Sequence, residues 1–289
     1  MSDARILDQG YRPYEGPRRG LAGAVRSLAW HSVLRALGLR RTAWAKLLPI
    51  ASVLIAYVPA IVFVGIAAII PERVRDQVDL VPTYAEYYGF ITAAIILFVA
   101  LVGPEVLCPD RRNGMLGLYL ASPLTRSTYL VAKALAVLPV IGLVTLGPPL
   151  LLLLGLTLAD SGPDSVGDFA LVLVRIVLAG LVVASIYTAI SLAAASLTER
   201  RAVASAGVIL LLLSTSIAAD QLVVGNGADP DVLLFSLFEL PFLLVERVYG
   251  EVGTRPEIAT WALAAAVIGW TAAATAVLWW RYRKLTVTR

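Results

Sequence analysis

The chain has 289 residues, of which 59% are hydrophobic and 15% are charged, and its mean hydropathy is +0.81. This composition excludes a soluble globular domain and indicates a single bundle of membrane helices. The net charge of +4 does not indicate nucleic-acid binding, because the basic residues form no patch interleaved with aromatic side chains.

The first 46 residues are polar and rich in arginine, so we predict a cytoplasmic leader that precedes a membrane domain of residues 47–289. This leader does not resemble a cleavable signal sequence, because the first long apolar run begins only after it. Residues 21–46 can form an amphipathic helix with Ser27, His31 and Arg35 on one polar strip. Such a helix lies either along the cytoplasmic membrane surface or against the base of the bundle.

Six apolar runs follow, and each is long enough to cross a bilayer. A hydrocarbon core of about 30 Å needs about 20 helical residues, because each residue adds about 1.5 Å. Lipid offers no partner to unpaired backbone groups, so we predict six transmembrane helices and an all-α fold. The predicted spans are residues 47–70, 88–107, 129–158, 169–197, 202–224 and 261–280.

The basic residues outside these spans predict the orientation of the bundle. An even number of spans puts both termini on one side, and 19 of the 24 lysines and arginines fall on that side. The other side carries Arg73, Arg75, Arg247 and Arg255, and Arg175 lies within a span. By the positive-inside rule we predict cytoplasmic termini, in a multi-pass protein of the cell membrane.

Two stretches interrupt the pattern of long apolar helices. Pro148 and Pro149 fall inside the third span, where we expect a kink because each proline removes a helix hydrogen bond. A kink can serve a gated pathway, although it more commonly sets the shape of a helix. Residues 231–249 contain two apolar stretches too short to span, which predict an outer re-entrant hairpin or a pair of interfacial helices.

The chain lacks the residues that most enzymes and metal sites require. His31 is the one histidine and Cys108 the one cysteine, so histidines and cysteines cannot assemble a zinc site. All three lysines follow alanine or arginine, which excludes a GxxxxGK[ST] phosphate loop because that loop needs glycine before its lysine. We therefore predict no catalytic residue, no metal and no cofactor in this chain, and an intramembrane enzyme is disfavoured.

Charged residues within the spans are few, and they are candidates for function because a charge in lipid is costly. Glu105 and Lys133 lie near the cytoplasmic ends of their spans. Arg175 and Asp220 lie about 9 Å and about 6 Å from the outer ends of theirs, so their depths permit an ion pair. That pair is either structural or functional, and Arg175 can also extend its side chain to the interface.

The cytoplasmic connection between the second and third spans has the most specific pattern. It reads EVLCPDRRNGMLGLYLASPLTRSTYLVAK over residues 105–133. The Asn-Gly pair predicts a turn, residues 115–121 a short helix, and Ser122 with Pro123 the N-cap and first residue of the next helix. A soluble partner could bind to a rigid helix held at the membrane surface in this way.

This connection resembles the inner loop of the ABC-2-type permeases, the membrane subunits of ATP-binding-cassette exporters. In that family an acidic residue and a glycine precede a short coupling helix, and a Ser-Pro-Leu-(Ser/Thr)-Arg stretch and a lysine follow it. The matching residues, in order, are Glu105, Gly114, Ser122, Pro123, Leu124, Thr125, Arg126 and Lys133. The chain departs from the pattern at Cys108 and Pro109, where the family continues its helix with charged residues.

The resemblance implies a permease that forms a homodimer or heterodimer and binds two copies of a separate ATP-binding-cassette ATPase. ATP and Mg would bind to that ATPase, whose closure would push the coupling helix and alternate or open the transport path. The implied docking element is residues 115–126, where Leu118 and Tyr119 are expected to face the ATPase. The implied coupling residues are Glu105, Arg111, Arg112, Gly114, Met115, Leu118, Tyr119, Ser122, Pro123 and Arg126.

A second class of function shares these features. A non-transporting scaffold or regulatory subunit of an ATPase complex needs the same spans and the same docking loop. The substrate of a permease also stays open, because apolar walls suit lipids, drugs and lipid-linked glycans alike.

Overall fold

The computed structural model describes residues 20–39, 43–70 and 80–285; the first 19 residues and the connection that carries Arg73 and Arg75 lie outside this description. Over the described residues the chain is helical and contains no strand, which confirms the predicted all-α fold. The α-helices are α1 Gly20–Ala36, α2 Ala43–Ile69, α3 Tyr84–Arg112, α4 Leu116–Leu120, α5 Arg126–Thr145, α6 Gly147–Leu158, α7 Val166–Leu197, α8 Arg201–Asp220, α9 Leu240–Tyr249 and α10 Thr260–Lys284. A π-helical segment, Gln221–Gly225, follows α8, and a 3-10 segment, Pro230–Phe235, precedes α9.

Six of the described helical stretches are long and apolar enough to cross a membrane, which confirms the six predicted spans. Spans 1 to 6 are Pro49–Ile69, Tyr84–Arg112, Arg126–Leu158, Val166–Leu197, Arg201–Gly225 and Thr260–Lys284. Span 2 is the central element of the bundle. In its most apolar stretch of 18 residues 72% of the residues are buried, whereas the corresponding share is 22% in each of spans 1, 5 and 6. These three outer spans therefore leave apolar faces open to lipid or to a partner.

Span 2 is longer than predicted at both ends, and local structure explains the difference. At its start the Thr83 side chain accepts from the Glu86 amide and the Glu86 carboxylate accepts from the Thr83 amide, which caps α3 four residues before the predicted start. At its end α3 continues through Cys108 and Pro109 to Arg112, although the proline removes one helix hydrogen bond. The departure from the family pattern at these two residues does not end the helix.

Span 3 is interrupted at its two adjacent prolines, as predicted. α5 ends at Thr145 and α6 begins at Gly147, so the span consists of two helices. In a continuous helix the Thr145 carbonyl would accept from the amide of residue 149, but Pro149 has no N–H group. The Tyr88 hydroxyl donates to this carbonyl instead, at 3.0 Å. A hydroxyl from span 2 thus replaces the hydrogen bond that the proline removes.

Spans 2 and 4 cross closely at a glycine. Gly103 of α3 faces Ser191 of α7, and a methyl group built on Gly103 would lie 2.9 Å from the Ser191 carbonyl carbon. The Ser191 hydroxyl donates to the Val99 carbonyl at 2.7 Å. A small residue and a serine hydroxyl therefore hold these two helices together, as is common between membrane helices.

The chain between spans 5 and 6 packs among the spans. The 3-10 segment and α9 are joined by residues 236–239, where the Leu237 amide donates to the Thr215 hydroxyl at 3.2 Å. The Tyr187 hydroxyl of α7 donates to the Phe238 carbonyl at 3.1 Å. Thr215 lies about 20 Å along α8, which is about 30 Å long, so residues 236–239 contact the second half of this helix.

One end of the bundle, which we call the basic end, carries α1, α4 and the C-terminal end of α10. α1 packs against α5 and α3 through a buried stripe that includes Ser32. Ser27 and His31 of the predicted polar strip are exposed, whereas Arg35 points into the bundle. The leader helix is therefore attached to the bundle through a polar face as well as an apolar one.

Candidate functional site

The candidate site begins at the turn between α3 and α4 at the basic end. The Gly114 amide donates to the Arg111 carbonyl at 3.1 Å, and the Met115 amide donates to the Asp110 carbonyl at 2.9 Å. Gly114 has a positive φ of 64°, a conformation that glycine adopts without the strain of a side chain. The predicted Asn-Gly turn is confirmed, and it ends α3 so that the chain can enter α4.

The start of the next helix differs from the prediction. Thr125, and not Ser122, is the N-cap of α5, because its side chain accepts from the Thr128 amide at 3.2 Å. The Thr128 hydroxyl accepts in turn from the Thr125 amide at 2.8 Å. The Ser122 hydroxyl instead donates to the Tyr119 carbonyl at 2.5 Å and closes α4. Ser122 and Pro123 thus form the turn between the helices and do not begin the second one.

α4 presents one apolar side chain outward. Leu118 is 67% exposed, whereas Leu116 is 8% exposed and packs into the core of the bundle. Tyr119 is half-buried, and its ring centroid lies 5.6 Å from that of Tyr129 in α5. Leu118 is therefore the more exposed of the two side chains that are predicted to face a soluble partner, and the Tyr119 ring also contacts span 3.

Asp110, near the end of α3, joins three elements of the basic end. Its side chain is 1% exposed, and its two carboxylate oxygens accept from Lys133 and Arg35 at 2.7 Å each. The Tyr129 hydroxyl donates to the same carboxylate at 2.9 Å. We call Asp110, Arg35, Lys133, Tyr129 and Ser32 the Asp110 cluster. It connects α1, the end of span 2 and the start of span 3.

Lys133 is the most deeply buried cation of the Asp110 cluster. Its side chain is 0% exposed, and the ammonium group donates to the Ser32 hydroxyl at 3.0 Å. The ammonium also lies 5.6 Å and 5.3 Å from the ring centroids of Tyr119 and Tyr129, where the ring faces favour a cation. Such a charge is stable only with its partners, because transfer of an unpaired ammonium from water is costly.

Arg35 brings the leader helix to the Asp110 cluster. Its guanidinium donates to the Val106 carbonyl at 2.8 Å as well as to the Asp110 carboxylate. Burial alone would lower the pKa of Arg35, but the Asp110 carboxylate raises it above the ordinary value. The guanidinium therefore stays charged. It connects α1 to the last turns of α3 through the Asp110 carboxylate and the Val106 carbonyl.

A second set of contacts ties the end of α3 to the turn between α7 and α8. Arg201 pairs with Glu105 at 2.7 Å, and Arg111 pairs with Glu199 at 3.8 Å. Arg111 also donates to two backbone carbonyls where α7 ends. Glu105 and Arg111 therefore face neighbouring helices, whereas Arg112 is exposed at the end of α3.

Arg126 ties the first turn of span 3 to the last turn of span 6. Its guanidinium donates to the Arg283 carbonyl at 2.6 Å and to the Leu285 carbonyl at 3.0 Å. The coupling residues predicted from the resemblance thus divide into two groups by exposure. The exposed group lies around α4 and consists of Arg112, Gly114, Leu118, Ser122 and Pro123. In the other group Glu105 is buried, and the half-buried members are Arg111, Met115, Tyr119 and Arg126.

The predicted ion pair between Arg175 and Asp220 is wrong. Among the described residues no ion pair or hydrogen bond joins them; the Arg175 guanidinium lies beside Gly250, at the C-terminal end of α9. That position is favourable for a cation, because the carbonyl groups at a helix C-terminus carry partial negative charge. Asp220 instead lies near Glu239, whose carboxylate accepts from the Ser216 hydroxyl at 3.1 Å.

Asp110 is the residue of the site that the sequence pattern did not single out. In the sequence it precedes two arginines and a turn, which is typical of a solvated loop. The signal that could have identified it is Lys133, because a lysine within a span requires a carboxylate at the same depth. Tyr129, one helical turn before Lys133, supplies a further hydrogen-bond donor on the same face.

Comparison with known proteins supports the resemblance that the inner loop indicates. No curated protein matches the sequence at a significant level. The family described as ABC-2 family transporter protein matches residues 21–285, a range that contains all six spans, α4 and the Asp110 cluster. Because this match covers most of the chain, the protein belongs to the ABC-2 family of ABC transporter membrane proteins.

Proposed function

We propose that this chain is the permease subunit of an ABC exporter, which moves a substrate across the cell membrane with ATP that a separate subunit hydrolyses. Membership of the ABC-2 family supports the permease role and association with an ABC ATPase, since the family lacks a nucleotide-binding domain of its own. The observation that carries the proposal is α4, a short helix with one exposed leucine, joined rigidly to the bundle.

The proposed assembly contains two permease subunits and two copies of the ATPase. ATP and Mg bind to the ATPase, and the second permease subunit is either another copy of this chain or a related one. The outer spans support a partner within the membrane, because spans 1, 5 and 6 bury only a small share of their apolar residues in one copy. Lipid covers whatever part of these faces the second subunit leaves open.

The Asp110 cluster suggests how movement of the ATPase reaches the spans. Force on Leu118 moves α4, and Tyr119 transmits this movement to Tyr129 of span 3 through their ring contact. Because the cluster joins α1, span 2 and span 3, these elements move together as one unit. Rigid units of this kind can alternate between two arrangements when a ligand of the partner shifts their equilibrium.

The transported substrate belongs to one of three classes, which are lipids, drugs and lipid-linked glycans. We expect the purified complex in nanodiscs to hydrolyse ATP faster with a compound of one class than with the other two. A complex that binds the ATPase but transports no member of these classes would support the scaffold function instead.

We expect both termini of the chain to be cytoplasmic, because the basic end carries most of the lysines and arginines. Reporter fusions at Ser165, between spans 3 and 4, should be active outside the cell. Fusions at Glu199, between spans 4 and 5, should be active inside. The reverse pattern would place α4 away from the ATPase and would contradict the proposed coupling.

We expect Leu118→Asp to weaken ATPase binding by about tenfold or more, because charge replaces an exposed apolar contact at a docking surface. The bundle should stay folded, since Leu118 is 67% exposed. Co-purification of the tagged ATPase with the membrane-inserted variant measures the effect, and transport should fall with it. Leu118→Met, which keeps an apolar side chain of similar size, is the control and should bind normally.

Normal ATPase capture and normal transport by Leu118→Asp would refute the docking role of α4. Tyr119 is left unchanged in this test because it contacts the Asp110 cluster, and its loss would disturb the fold.

A further inference from the structure

A groove runs along an exposed side of the bundle between spans 4 and 6. It has a volume of about 790 Å³, and its walls are almost entirely apolar. Val182 and Ser185 of α7 and Leu244 of α9 line one side, and α10 lines the other from Ala264 to Trp279. Ala264 and Trp279 are about 23 Å apart along α10. The groove is therefore longer than the hydrocarbon depth of one leaflet, about 15 Å.

Small side chains on one face of α10 create this groove. Ala264, Ala272 and Ala276 line it at intervals of four or eight residues, so they share a face of the helix. The space lies within the hydrophobic part of the bundle, where water finds few polar partners. Its volume falls within the range of about 300–1,000 Å³ that is common for ligand sites.

The groove ends beside an unpaired arginine at the basic end. Trp279 lines the groove, and the Arg283 guanidinium carbon lies 4.6 Å from its ring centroid. Arg126 donates to the Arg283 carbonyl, which holds this part of the chain in place. Over the described ranges no carboxylate pairs with Arg283. The groove therefore combines apolar walls with uncompensated positive charge at one end.

We propose that the groove binds one anionic phospholipid, with its phosphate beside Arg283 and an acyl chain along α10. The apolar walls fit an acyl chain, and the uncompensated charge favours an anionic headgroup over a zwitterionic one. Trp279 lies at the junction of the two regions, where interfacial aromatic side chains are common. The site is complete within one copy of the chain.

The test measures lipid retained by the full-length protein in detergent, by native mass spectrometry, after exchange with phosphatidylglycerol or phosphatidylcholine. We expect one phosphatidylglycerol per chain to be retained. Arg283→Gln should lower its affinity about fivefold, since one basic residue near a membrane contributes about that much. Lys284→Gln is the matched control, because Lys284 stacks on Trp280, which lies outside the groove.

A second pair of variants tests the apolar walls. Ala272→Leu with Ala276→Leu should fill the groove and prevent retention of the lipid. Ala265→Leu with Ala273→Leu makes the same change at exposed positions of α10 outside the groove, and lipid should be retained. Arg283 is exposed, so its variant decides the proposal even if the groove-filling variant does not fold.

Three results would overturn the proposal. The first is equal retention of phosphatidylcholine and phosphatidylglycerol, and the second is equal loss of lipid in the test and control variants. The third is a disulfide between two copies of a Cys108→Ala, Ala276→Cys variant in native membranes, which would assign the groove to a second copy of the chain.

Discussion

Asp110→Asn is expected to lower the free energy of unfolding by about 3–5 kcal/mol, because it leaves the buried Lys133 ammonium without a carboxylate. Lys133 is 0% exposed and cannot turn to water without moving α1 away from the bundle. Arg35 loses the same partner, but its side chain is 27% exposed and stays partly hydrated. The damage should therefore arise mainly from Lys133.

The double variant Asp110→Asn with Lys133→Met tests this account. Removal of both charges should recover most of the lost stability, since an apolar side chain of similar length then fills the site of the lysine. The fraction of protein that stays monodisperse after heating in detergent ranks the stabilities of the single and double variants. If the losses of the two single variants simply add in the double variant, the two residues are not energetically coupled.

Gly103→Ala is expected to destabilise the protein by about 1–3 kcal/mol, because it adds a methyl group where spans 2 and 4 cross. This methyl group would overlap the Ser191 side chain and lie 2.9 Å from the Ser191 carbonyl carbon. Ser191 cannot move aside freely, since its hydroxyl donates to Val99. The overlap outweighs the gain of about 1 kcal/mol that alanine has over glycine in an exposed helix.

Gly89→Ala is the matched control, because it makes the same change on the same helix in open space. No atom lies within 4 Å of a methyl group built on Gly89, so this variant should be neutral or slightly more stable. The same heating assay compares both variants with the unchanged protein. Equal stability of Gly103→Ala and Gly89→Ala would show that spans 2 and 4 do not pack closely at Gly103.

The spans could be predicted from sequence because their length and hydropathy depend on neighbouring residues alone. The capped start of span 2 was missed, since Thr83 and Glu86 precede the apolar run and act through hydrogen bonds. The start of α5 was misassigned for a similar reason. Ser122-Pro123 and Thr125-Arg126 are both acceptable helix starts by residue type, and only the side-chain bond to Thr128 distinguishes them.

Charged partners were the least predictable part of the site. Arg175 and Asp220 have comparable depths, but depth does not state the direction in which each side chain leaves its helix. The same limit concealed the Asp110 cluster, whose members come from α1, α3 and α5. Helix packing determines which of several charges at one depth meet, and packing depends on contacts between residues distant in sequence.

The Asp110 cluster also implies an order of assembly during synthesis. Tyr129 and Asp110 are 19 residues apart and can meet when spans 2 and 3 form a hairpin. Ser32 precedes its partner Lys133 by 101 residues, an interval that takes a ribosome about 5–20 s to translate. The leader helix is thus made first but docks late, after two spans have already entered the membrane. Ribosome pausing before residue 133 would prolong the time in which α1 is free to bind chaperones or to misassemble.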